Sequence, residues 1–144
     1  MSNKIHSPEG VERLRTLYSI MFGVPSEKVN MSGWRFAATE RDLTKGCGTA
    51  ACAVGWACSY PEFQAQGLSY GVSPAFNGLT SWDAVLEFFA VDAHVAAKLF
   101  QTTEVGLEAK RGVLSRIRHL LLENGVISHG RSLELFDQES ALLE

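Results

Sequence analysis

The chain has 144 residues, enough for one domain with a real apolar core. Its residues are 46% hydrophobic and 20% charged, an ordinary globular composition. A net charge of -3 argues against general nucleic-acid binding, which needs a basic surface.

The opening residues MSNKIHSPEG lack the apolar run of a signal peptide, and no stretch is apolar for long enough to span a bilayer. The expected setting is cytoplasmic and reducing, without a membrane role. The three cysteines, an odd number, do not suggest a disulfide framework.

Ser7-Pro8-Glu9 predicts a helix start: a side-chain cap, proline at the first helical position, and an acid at the positive end of the dipole. Val11, Leu14, Leu17, Tyr18 and Met21 follow at helical spacing, and Gly23 and Pro25 stop the run. Residues 26–29 suit one short turn, and Met31, Trp34 and Phe36 form an apolar cluster after it.

The stretch GCGTAACAVGWACSY, residues 46–60, holds all three cysteines and no charge. It predicts a central buried helix over 47–59, beginning at Cys47 or Thr49 and ended by Pro61. Cys52, Gly55 and Trp56 belong to its packed faces, and the alanines with Gly55 let neighbours approach closely. Between Lys45 and Asp83 the only charged residue is Glu62, which points to burial of this middle segment.

The glycine- and aromatic-rich residues 62–79 read as an ordered loop with room for a minor hairpin near 66–79. Thr80 or Ser81 then caps a helix bearing Trp82, Val85, Leu86 and Phe89, and Asp92 caps a shorter one. An amphipathic helix is expected from about Glu104 to Glu123, with Val113, Leu114, Ile117, Leu120 and Leu121 on one face. Asn124-Gly125 stops it. Residues 131–144 suit either a last acidic helix or a mobile tail. The sum is a single all-α domain over 1–144, a bundle of five or six helices around the small-residue helix.

Several residues are candidates for chemistry. A thiol at the start of a helix is activated by the dipole, so Cys47 could serve as a nucleophile, with His94, His119 or His129 as its base. Zinc is a second option for Cys47, Cys52 and Cys58. Their C-x4-C-x5-C spacing lacks close ligand pairs, and a continuous helix would separate the outer two by about 16 Å. Lys110, Arg111, Arg116 and Arg118 lie on or near the polar face of the long helix, where they meet solvent, phosphate or an acidic partner. Glu12, Glu40, Asp42 and Asp83 form no locatable carboxylate pair. The glycines match neither a P-loop nor a dinucleotide fingerprint, and no cofactor is indicated. Trp34, Trp56 and Trp82 are core anchors. Tyr70 and Phe76 in the glycine-rich loop are the aromatics expected at a partner surface.

Taken together, Met31-x-x-Trp34, Cys47-Gly48-Thr49-x-x-Cys52-x-x-Gly55-Trp56, Phe89-Ala90-Val91 leading to Leu99-Phe100, and Arg116-Ile117 resemble a motif series. The series belongs to a family of small uncharacterised proteins of tailed bacteriophages and some bacteria. The resemblance covers about Asn30 to Leu122. The chain departs from the pattern at Phe89-Ala90-Val91, where Leu-Gly-Leu is usual, and in the loop from Glu62 to Leu79. The resemblance transfers no activity and no catalytic residue. It implies a phage setting, hence a non-enzymatic protein that binds and inhibits or redirects a bacterial host protein or defence system. Tyr70, Phe76, Arg111 and Arg118 are its expected contact residues. A thiol-dependent enzyme using Cys47 and a zinc-stabilised structural module stand as the alternatives.

Overall fold

A computed structural model describes residues 3–34 and 50–142. They form a mostly helical architecture with one small sheet. Cys47 and Thr49 lie outside the described residues.

Helix α1 spans Pro8–Gly23, and its start is the expected one: Pro8 opens it and the Ser7 hydroxyl accepts from the Gly10 N–H at 3.0 Å. One 3-10 turn follows at Ser26–Lys28. Val29 and Asn30 then run as extended backbone. Val29 bridges Ala51 in parallel, and Asn30 bridges Val105 in antiparallel fashion.

That bridging changes the central helix. The Ala51 N–H donates to the Lys28 carbonyl and the Asn30 N–H to the Ala51 carbonyl, each at 3.1 Å. Ala51 and Cys52 are therefore committed to extended backbone. Helix α2 begins only at Ala53 and ends at Cys58, shorter than the expected 47–59. It is nonetheless the buried element foreseen: all its residues but the half-buried Trp56 are interior.

Gly55 explains why the helix carries a glycine. A Cβ there would sit 1.9 Å from the Trp34 carbonyl oxygen and 2.8 Å from the Ala51 Cβ. The close neighbour is the backbone bend at Gly33–Trp34, not a second helix.

Pro61 starts an element as well as ending one. It is the first residue of the short α3, Pro61–Ala65, a position that costs no hydrogen bond. Three strands follow, β1 Ser69–Tyr70, β2 Pro74–Phe76 and β3 Leu79–Thr80, in antiparallel order β1-β2-β3. The fold is thus not purely all-α. The β2–β3 hairpin closes on Asn77-Gly78, with Phe76 facing Leu79 and φ of +52° and +79° at the two turn residues. Asn-Gly is the pair best suited to that left-handed backbone.

Helix α4 covers Ser81–Phe89, α5 Ala93–Phe100, α6 Leu107–Glu123 and α7 His129–Ser140. The five residues expected on the inner face of α6 are all buried. Helix α6 packs against α1, α5 and α7, and α1 also packs on α4. The last segment is helical rather than frayed. The first residues tie into the body: the Ile5 N–H donates to Asn124 Oδ1 at 2.9 Å and the His6 N–H to the Ala90 carbonyl at 2.7 Å.

The core centres on phenylalanines. Phe63 and Phe88 meet edge to face at 4.9 Å between centroids, and Phe88 meets Phe76 at 5.0 Å and Phe89 at 5.0 Å. Arg13 covers this cluster, its guanidinium 4.3 Å from the Phe88 centroid.

Gly55→Ala is expected to cost about 3 kcal/mol, because backbone must move to admit the methyl. Thermal unfolding should show a Tm lower by about 10 °C. Gly23→Ala, where a Cβ meets nothing within 4 Å, should leave Tm nearly unchanged.

Candidate functional site

The Gly55 contact positions a cleft. The backbone at Gly33–Trp34 is held from one side, where the Cys52 N–H donates to the Gly33 carbonyl at 3.2 Å and the Cys52 thiol reaches the Trp34 carbonyl at 3.8 Å. Two residues earlier, the Met31 N–H donates to the Glu104 carbonyl at 2.8 Å. Trp56 locks the same segment through its ring N–H, which donates to the Lys28 carbonyl at 3.0 Å. So fixed, the Trp34 ring meets that of Trp82 at 4.7 Å between centroids and a 50° tilt.

The two half-buried indoles line an open cleft of about 480 Å³, with Phe100 and Cys52 also in its wall. Ser32, Gln101 and Thr102 add polar groups, and among the described residues none that lines the cleft is charged. Two features are costly for stability. Ser81 opens α4 with φ +57°, a left-handed conformation costing a non-glycine residue about 1 kcal/mol. The Thr102 hydroxyl is buried with no hydrogen-bond partner, a penalty of about 1–3 kcal/mol.

The other candidates fall elsewhere. Phe76, expected at a partner surface, is only 8% exposed, because it fills the space between the sheet and Phe88. Tyr70 is half-buried on the edge strand β1. Beside it on the β1–β2 loop, Val72 is 97% exposed, and Leu79 is exposed on β3. Position in the loop did not separate the buried Phe76 from the exposed Val72. Strand alternation with the Asn77-Gly78 turn, which fixes the register, was the signal available.

The basic stripe of α6 is neither a solvated face nor a phosphate surface. Arg118 is 5% exposed and bonds Glu139 through Nε at 2.9 Å, with Nη1 donating to the Ser132 hydroxyl at 3.1 Å. The Tyr18 hydroxyl donates to the same Glu139 carboxylate at 2.6 Å. Burial and that carboxylate push the Tyr18 hydroxyl well above its ordinary range. Arg111 donates to the carbonyls of Ser140 and Leu142, finishing the C-terminal end of α7. Lys110 is buried with its ammonium 2.7 Å from the Val24 carbonyl, and burial lowers its pKa. Arg116 pairs with Glu104 at 3.3 Å. Arg118 and Lys110 are thus withdrawn from any partner surface, and Arg111 serves the last helix.

Cys52 and Cys58 are buried at the two ends of α2. Because that helix starts after Cys52, the 16 Å separation of the outer cysteines does not apply. Among the described residues no group of three or more His, Cys, Asp or Glu could hold a metal. His94 is half-buried with an unpartnered Nε2, His119 donates from Nδ1 to the Ser115 carbonyl at 2.8 Å, and His129 is exposed at the start of α7. Among the described residues no helix is long and apolar enough to cross a membrane.

Two measurements follow from this geometry. Arg118→Met should cost about 3–5 kcal/mol by stranding Glu139, and Arg118→Met with Glu139→Leu should recover most of the lost Tm. Native alkylation by iodoacetamide should be slow at the buried Cys52 and Cys58, so peptide mapping should assign any fast reaction below pH 8 to Cys47.

No protein-family model, no curated protein and no solved structure matches the chain.

Proposed function

We propose that the protein is a phage-encoded, non-enzymatic binding protein that engages and inhibits or redirects a bacterial host protein or defence system in the host cytoplasm. The observation that carries this reading is the tip of the small sheet. Val72 is 97% exposed there, while the strand two residues on is anchored by Phe76 in the core. An apolar residue on a pre-ordered loop contributes contact area without a large ordering cost. Tyr70, paired with Pro74, flanks the same loop, whereas Leu79 lies at the other end of the sheet beside the Asn77-Gly78 turn. The resemblance of the motif series to that of small phage proteins is the ground for the phage setting. Arg111 and Arg118 leave the contact set and become internal ties.

Affinity capture from bacterial lysate tests the proposal, with identification by mass spectrometry against a tag-only control. Wild-type protein should retain one stoichiometric, salt-resistant partner, and Val72→Asp should lose it with Tm unchanged. Equal retention by Val72→Asp would refute the sheet tip as the surface. Failure to retain any partner would count against host-protein binding itself.

A further inference from the structure

We propose that the Trp34–Trp82 cleft binds an uncharged planar ring with a hydrogen-bonding edge, specifically a free nucleobase or its nucleoside. This inference stands apart from the host-protein reading and uses a different part of the molecule.

Size and faces come first. A cleft of about 480 Å³ falls within the usual range for small-molecule sites, which is roughly 300–1,000 Å³. Trp34 and Trp82 line its wall with their rings packed on one another, and the contacts around Cys52 and Gly55 hold the backbone that carries Trp34, so an aromatic wall exists before any ligand arrives. Every base has a π-face, and aromatic stacking recognises it without regard to sequence.

The edge chemistry is neutral. Gln101 carries both an amide donor and an acceptor, the pair needed to meet the edge of a base.

Charge in the described wall disfavours the phosphorylated relatives. Among the described residues no Lys, Arg or His lines the cleft, and Asp83 occupies the first turn of α4, offsetting the positive helix end beside Trp82. A phosphate would find no cation among those residues.

Isothermal titration calorimetry of the full chain tests this, with adenosine, guanosine, cytidine and uridine as probes and the monophosphates and glucose for comparison. At least one nucleoside should bind saturably, and its monophosphate should bind no tighter. Trp82→Ala should weaken binding about tenfold or more. Gln101→Leu changes an exposed side chain of the wall, so it should leave Tm unchanged while weakening the nucleoside several-fold. That pairing separates a ligand role from a folding defect. The proposal is overturned if no nucleoside gives a saturable heat at millimolar concentration. It is equally overturned if glucose binds in their place, if the monophosphate binds far tighter, or if both variants bind like wild type.

Discussion

The described structure depends on one backbone junction, where the non-helical chain at residues 29–34 and the Lys28 carbonyl lie against residues 51–56. Four contacts meet there. Val29 pairs with Ala51, the Cys52 N–H reaches the Gly33 carbonyl, Gly55 admits the Trp34 carbonyl, and the Trp56 ring N–H reaches the Lys28 carbonyl. Each requires a small residue or a specific donor. Together they shorten α2, bury it, and set Trp34 against Trp82. The extended segment also bonds the residues ahead of α6, since the Gly106 N–H donates to the Val29 carbonyl at 2.8 Å. One short non-helical strand thereby fastens the central helix to the start of the longest one.

This junction shows why some of the fold was legible in the sequence and some was not. Local signals sufficed where the structure is local. Ser7-Pro8 marked the start of α1, and the spacing of Val113, Leu114, Ile117, Leu120 and Leu121 marked the inner face of α6. Gly55 stood out as a glycine inside an apolar helix, and close approach was the physical reason for it. The identity of the approaching group was not readable, because Trp34 is 21 residues earlier. The same limit hid the start of α2. Apolar periodicity cannot register that Ala51 and Cys52 exchange helical bonds for bridges to Lys28–Asn30. At Pro61 the local signal was ambiguous, since proline both ends one helix and suits the first turn of the next.

The candidate site was less legible than the fold. Trp34, Trp82 and Cys52 were singled out as core, and the structure puts them in the wall of one cleft while keeping both indoles half-buried. The basic residues of α6 were misjudged for a different reason. Helical position places Arg118 near the polar face, yet α7 returns Glu139 and Ser132 over it and makes that face interior. The buried side of α7 holds only Leu135 as an apolar residue, beside Ser132 and Glu139. Polar bonds therefore contribute an unusual share of its attachment. A buried ion pair of this kind adds little net stability over an apolar contact, but it tolerates only one registration of the helix.

The ties between the two ends of the described chain bear on how the protein is made. Asn3, Ile5 and Tyr18 find their polar partners at Asn124 and Glu139, more than a hundred residues later. Helix α1 also rests on α6. During synthesis, at about 5–20 residues per second, the amino-terminal helix leaves the ribosome several seconds before the groups that hold it. The side of it that rests on α6 has no native cover in that interval, whereas the side that meets α2 and α4 is covered earlier. The packing around α1 is consequently complete only once the last third of the chain has emerged.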